Sequence, residues 1–244
     1  ELGCALRQIV WDRLAANFNS GDRILELNCG TGEDAIWLAR RDVRVTATDV
    51  SLEMLAIARK KISEAELTQR VDLQPLDLAQ PVHRPAASFD GALSNFGGLN
   101  CVNNLRPLSK FLGEAIRPGG ELILVPMNRW CVWEIVWHLL HFKFRTAFRR
   151  LRSAGSEANV GANRARVWYP SIRSLRMTFE PHFKLKRITG LGIFLPPSYL
   201  ERSMARHPKL FSRLNRLEQK FDRVFPFNRL SDHVILEFER TASA

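Results

Sequence analysis

Ile24-Leu25-Glu26-Leu27-Asn28-Cys29-Gly30-Thr31-Gly32, followed by a second apolar run that closes on Asp49, decides the fold. Ile24 to Leu27 reads as a short buried strand, Gly30 and Gly32 as a tight turn, and Glu33 as the start of a helical pattern. A strand, glycine turn and helix in succession let the backbone approach a ligand closely and point helix N–H groups at it. Asp49 falls at the end of the second strand, where a carboxylate can accept hydrogen bonds from ribose hydroxyls.

Working outward, the spacing predicts a helix over Arg7–Phe18 and strands over Arg23–Cys29, Arg44–Val50, Val71–Leu78, Phe89–Phe96 and Glu121–Met127. Helices over Glu33–Arg41, Leu52–Ser63 and Pro107–Ile116 lie between them, with Ser51 as an N-cap and Arg117-Pro118-Gly119-Gly120 as the turn into the fifth strand. Such alternation implies a parallel α/β sheet with right-handed crossovers. Beyond it, Arg129–Arg152 reads as one long helical stretch and Ser153–Ala165 as a mobile loop. Tyr169-Pro170-Ser171 starts a helix through Phe179, and Phe183–Leu195 reads as a strand. Pro196–Asp222 reads as mostly helical, with an Arg-rich outer face over Ser198–Arg223, and His233–Arg240 as a last strand.

The 244 residues suffice for one sizeable buried core, and 45% apolar with 25% charged residues fits a globular protein. Cys4, Cys29, Cys101 and Cys131 form no CxxC pair, so a reducing cytoplasmic setting is expected. No stretch reads as a signal peptide, no apolar run is long enough for a bilayer, and the opening on Glu1 rather than Met leaves targeting open. The chain carries 36 Lys+Arg against 25 Asp+Glu; 14 and 16 of these precede residue 128, leaving 22 and 9 behind it. The basic character therefore belongs to the back half, as a solvated surface or as a face for an anionic substrate, a membrane or nucleic acid.

Together, Glu26-Leu27-Asn28-Cys29-Gly30-Thr31-Gly32, Asp49, Asp77-Leu78, Phe89-Asp90-Gly91-Ala92 and Arg117-Pro118-Gly119-Gly120 resemble, in order, the class I S-adenosylmethionine (SAM) methyltransferases. The family usually has three glycines in the turn; here Asn28 takes the first position. The resemblance implies a Rossmann-like, seven-stranded, mostly parallel sheet with helices on both faces, an antiparallel last strand and a helical insertion after strand five. It divides a single domain into a cofactor-binding core over 1–128, a helical insertion, lid or interfacial segment over 129–170, and a completion of the sheet with basic helices over 171–244. It implies SAM as cofactor and S-adenosylhomocysteine as product. Gly30 and Gly32 would pass its methionine part, Glu26 and Asn28 of the same turn are counted with the cofactor-binding residues, and Asp49 would hold the ribose. Val50 and Met54 would pack on the adenine, Asp77 and the Leu78 backbone would meet the adenine edge, and Asn95 and Phe96 would face the sulfonium. The segment Ser94–Asn100 lacks the Asn/Asp-Pro-Pro-aromatic motif of enzymes that methylate bases or glutamine. Pro126-Met127-Asn128 lacks the ligand set of the metal-dependent enzymes, so no metal is expected. What remains resembles the branch acting on small molecules.

Trp130 to Arg145 is the segment expected to choose the acceptor. On a continuous helix Glu134, His138, His141 and Arg145 share one stripe beside an apolar face of Trp130, Trp133, Trp137, Leu140 and Phe144. Three readings stay open: a helix packed over the sheet with its polar stripe in solvent, a lid supplying His138 or His141 as base, or an interfacial helix making peripheral membrane contact through Trp130–Arg152. Glu134, His138 and His141 have metal-ligand spacing, but no further ligand is evident. Tyr169 is a further pocket candidate, with a core aromatic as its alternative, and His182 another. The expected function is methylation of a small, hydrophobic or lipid-like metabolite. RNA methylation is the alternative, suggested by the basic back half and opposed by the absence of an RNA-binding module. A SAM-binding protein without transferase activity is a third reading.

Overall fold

Strands covered on both faces have to be apolar almost throughout, and the central strands here are. The computed structural model describes residues 2–81, 88–160, 163–196 and 207–242. Its first half runs α1 (Leu2–Asn17), β1 (Arg23–Leu27), α2 (Glu33–Ala39), β2 (Arg44–Asp49), α3 (Leu52–Glu64), β3 (Val71–Pro75), β4 (Phe89–Ser94), α4 (Arg106–Ala115) and β5 (Ile116–Leu124). The second half runs α5 (Val132–Leu140), α6 (Phe144–Ala147), β6 (Ser156–Val160), β7 (Asn163–Val167), α7 (Ile172–Phe179), β8 (Phe183–Leu191), α8 (Pro208–Phe221) and β9 (His233–Arg240).

Seven strands form one sheet in the order β3-β2-β1-β4-β5-β9-β8. All neighbours are parallel except β9, which runs antiparallel to both β5 and β8. Alternate side chains feed two cores. Ile24, Val45 and Ile123 pack under α1, α2 and α3 with Leu14, Leu38 and Ile62. Leu25, Leu27 and Leu122 pack on the other face with Leu108, Leu112, Phe179 and Phe183. Strand order reverses at β1/β4, which opens a crevice at the carboxyl ends of these strands. Because β9 is reversed, its first residue, His233, also arrives at that end, bridged to Met127.

Two expectations for the back half are overturned. The predicted single helix over Arg129–Arg152 is instead α5, a break at Phe142 (φ +56°), α6 and a 3-10 turn over Arg149–Leu151. The cause is an ion-pair cluster that a straight helix could not make. Glu134 is buried rather than in a solvent stripe; its Oε1 accepts from Arg149 Nε at 2.5 Å and its Oε2 from Arg150 Nε at 2.8 Å. Arg150 also donates to Asp232 Oδ1 at 2.6 Å and to the carbonyls of Asn128 and Asp232 at 3.0 Å, so the insertion is tied to the end of the sheet. This uses the carboxylate of the suggested Glu134-His138-His141 metal set. Likewise Ser153–Ala165 is not a loop: β6 and β7 pair antiparallel, Ser156 opposite Val167 through Val160 opposite Asn163. Turn-forming residues inside short strands hide such a hairpin until the partner strand is seen.

Of the helical stretch expected over 196–222, α8 is present, and residues 197–206 lie outside the described residues. The Arg-rich face expected over Ser198–Arg223 falls partly in the same gap. From α8, the wholly buried Glu218 accepts from the backbone N–H groups of Gly192 (2.8 Å), Ile193 (3.0 Å), Phe194 (2.7 Å) and Leu195 (3.1 Å). Removing that carboxylate orphans four N–H groups at once. Glu218→Ala is expected to cost more than about 3 kcal/mol in urea unfolding, from charge-assisted bonds worth roughly 1.5–3 kcal/mol each that do not add fully. A loss below about 1 kcal/mol would show that water replaces the carboxylate.

Candidate active site

The turn after β1 needs three left-handed backbone positions: Asn28 (φ +48°), Gly30 (+55°) and Gly32 (+81°). Asparagine tolerates that region better than other side-chain residues, and here its side chain is used. Asn28 Nδ2 donates to Asn95 O at 2.8 Å, and Ser94 Oγ donates to Asn28 Oδ1 at 2.5 Å. The turn is thereby fastened to the tip of β4. Gly98 makes room for this: a Cβ there would lie 2.2 Å from Asn28 Cγ.

Asp49 fixes the other side. Its Oδ2 accepts from Gly30 N and its Oδ1 from Ser51 N, both at 2.9 Å. Each oxygen keeps acceptor capacity for a further donor, and nothing lies within 4 Å of the space a Cβ on Gly30 would take. Ser51 caps α3 by accepting from Met54 N at 3.2 Å. Val50 stands 69% exposed beside the carboxylate, an apolar flank that a planar base would cover, with Met54 half-buried.

Below the turn lie Glu26 and Asp34, both buried. Asp34 binds Arg7 (2.7 Å), Trp11 Nε1 (2.8 Å) and Asn95 Nδ2 (2.8 Å). Glu26 has no such partner for its Oε2 among the described residues. Burial, with Asp34 and Asp49 adding to it against Arg7, pushes its carboxyl well above the usual range. The Ala35 N–H also bonds this carboxyl, and its unpartnered Oε2 beside other carboxylates fits a cofactor carrying an ammonium and a sulfonium. Glu26, Gly30, Gly32 and Asp49 are the residues that would hold it.

The remaining expected cofactor residues fall into two groups. Asp77 is exposed, with Oδ1 accepting from Ala79 N at 2.8 Å and its other oxygen open, while the Leu78 side chain points into the second core and leaves only its backbone for a ligand. Asn95 is buried and used at both ends, on Asp34 and on Phe96 N (2.9 Å). It holds α2 to β4, and the exposed task at that tip falls to Phe96. The Phe96 ring takes Arg7 at 4.8 Å and His233 edge-on at 5.7 Å.

His233 escaped the sequence reading because only the reversed β9 brings it here. Its Nδ1 lies 3.2 Å from Asp232 Oδ2. Burial opposes ionisation of Asp232, but His233 and Arg150 outweigh it and hold the carboxyl well below its ordinary value. Asn100, wholly buried, is the second omission; its amide bonds Trp168 O (2.7 Å) and Met127 N (2.8 Å) and joins three loops. His138 and His141 are both on or next to α5, with no described hydrogen bond or ring contact to the turn. His141 Nδ1 meets Trp137 O at 2.7 Å, and burial lowers the His138 pKa. Tyr169 is buried under the Arg150 guanidinium, 5.3 Å from its ring centre.

Residues 24–120 match a family described as a methyltransferase domain. A phosphatidylethanolamine N-methyltransferase from Cereibacter sphaeroides is 34% identical over 114 residues, covering 46% of this chain and 55% of that protein. An S-adenosyl-L-methionine-dependent Diels-Alderase, iccD, from Talaromyces variabilis is 31% identical over 111 residues, covering 45% and 38%. The chain spans about half the length of the curated relatives it matches. A putative S-adenosylmethionine-dependent methyltransferase structure from Listeria monocytogenes superposes with a TM-score of 0.68 at 14% identity, over 99% of each chain, which extends the shared fold to the back half.

The Glu26 environment makes a pH prediction. Its carboxyl is neutral where an ordinary one is ionised; a bound cation would favour the carboxylate and expel the proton. Cofactor binding at mildly acidic pH is therefore expected to release a proton, and affinity to rise with pH through the raised pKa. Calorimetry in buffers of different ionisation enthalpy reads this directly. Glu26→Gln should abolish the release, and release unchanged in that variant would contradict the assignment.

Proposed function

We propose that this chain, a member of the class I S-adenosylmethionine-dependent methyltransferases, transfers a methyl group to a small, hydrophobic or lipid-like acceptor. The observation that carries the proposal is the Asp49 carboxylate, fixed by Gly30 and Ser51 with acceptor capacity left over, above the unpartnered Oε2 of Glu26. SAM supplies a methyl carbon on a positively charged sulfur, which leaves as a neutral thioether. Asp49 orients the ribose, Glu26 the ammonium, and Phe96 with Arg7 walls the crevice against water. Where the acceptor must lose a proton, the candidate base is His233, whose ring stands edge-on to Phe96 at the crevice with Nδ1 3.2 Å from Asp232 Oδ2. His138, whose Nδ1 has no partner among the described residues, is the second candidate.

The acceptor class is supported from two sides. One relative is named for a phospholipid substrate. Around the break in the insertion, Leu140 (71%), Phe142 (82%) and Phe144 (58%) are exposed beside Lys143 and Arg145. Apolar side chains flanked by basic ones suit transient contact with a membrane surface. No helix among the described residues is long and apolar enough to cross a membrane.

Asp49→Ala is expected to weaken SAM binding tenfold or more, a loss of about 1.4 kcal/mol or above; wild-type affinity would refute the ribose assignment. With methyl-labelled SAM and a cell extract, label should enter the organic-soluble fraction. Label in RNA, or cofactor binding without transfer, would overturn the acceptor reading. For a hydroxyl acceptor His233→Ala should lower kcat roughly 10²–10⁴-fold with cofactor affinity intact.

A further inference from the structure

A cavity of about 370 Å³ lies between the loop after β4, the start of the insertion and the N-terminus of α7. It has the size of a small-molecule site and a one-sided charge. Arg106, Arg129 and Arg152 line it, and no acidic residue does. None of the three has a carboxylate partner among the described residues. Arg149 and Arg150, a few positions away, are both paired to Glu134. Arg129 is held in place by donating to Leu151 O at 2.9 Å.

Two helices add to the field. Both α4, ten residues long, and α7, eight residues long, begin at this cavity, and neither has an acidic residue in its first turn. Ser171 Oγ accepts from Ser174 N at 3.1 Å and Asn104 Oδ1 from Arg106 N at 3.2 Å, but no negative charge among the described residues offsets the positive ends of the two dipoles at the cavity. Trp168 and Leu175 give the same cavity an apolar wall.

We propose that this cavity is a phosphate-binding site that takes the phosphate of an amphiphilic ligand, with its apolar portion against Trp168. Three guanidiniums and two helix N-termini around one space fit a group of two charges and three acceptor oxygens better than a single carboxylate. The phosphate belongs either to a lipid headgroup in a bilayer or to a soluble phosphorylated metabolite. The site deepens the methyl-transfer proposal by naming a chemical feature of the acceptor, but its test reads binding alone, so the cavity can fail while the cofactor reading stands.

The test uses the full chain in two arms. The first titrates a short-chain phosphatidic acid below its micelle concentration, with inorganic phosphate as competitor. The second measures co-sedimentation with vesicles of phosphatidylcholine with and without phosphatidic acid. Wild type is expected to bind in at least one arm, more weakly at high salt; the arm identifies the source. Arg106→Ala/Arg152→Ala should weaken that binding tenfold or more, with SAM affinity unchanged as proof of folding. Arg106→Lys/Arg152→Lys, which keeps the charge but loses the fork, should fall between. Binding in neither arm, equal binding by the double alanine variant, or equal binding of a fatty carboxylate of the same chain length would overturn the proposal.

Discussion

The Asp49 carboxylate, gripped by the N–H groups of Gly30 and Ser51, is the constraint on which the site depends. It sits at the end of β2 and reaches across to the turn after β1, so it locks two loops to each other before any ligand arrives. The Ser51 side chain in turn caps α3 by accepting from Met54 N, and the Ala58 Cβ of that helix would lie 3.1 Å from a Cβ on Gly32. The turn, the strand pair and the helix thus share one set of contacts. A site built this way is pre-organised, which lowers the cost of binding.

Much of this was legible in the sequence, for local reasons. The Gly30-Gly32 turn, Ser51 and Asp49 are signalled by residues adjacent to what they form, and the front strands by apolar runs bounded by turns. The sheet order, with its reversed last strand, followed from resemblance. What could not be read depends on long-range pairing. Asn28 departs from the glycine pattern because its side chain bonds the tip of β4, 67 positions away. His233 enters only because β9 is reversed. The helical period over Trp130–Arg145 was genuine in α5, yet it does not continue, because burying Glu134 against Arg149 and Arg150 outweighs extending the helix.

Charge divides the molecule by function. The front half places the buried Glu26 under the glycine turn, where a cationic cofactor would favour its carboxylate, and Arg7 already offsets its neighbour Asp34. The back half gathers arginines, some of which the fold neutralises internally: Arg149 takes Glu134, and Arg150 takes Glu134 and Asp232. The arginines left without carboxylates among the described residues mark where a negative partner is wanted. A buried ion-pair cluster contributes little net stability but fixes geometry, and here the geometry is the attachment of the insertion to the carboxyl ends of the strands.

The central claim is that a nucleoside cofactor is held through Asp49. A crystal structure of the chain grown with S-adenosylhomocysteine tests it most directly. The account predicts both ribose hydroxyls within about 3 Å of the two Asp49 oxygens, with the adenine over Val50 and the amino group beside Glu26. A nucleoside bound elsewhere, or ribose hydroxyls facing solvent with Asp49 bonded only to Gly30 and Ser51, would contradict it.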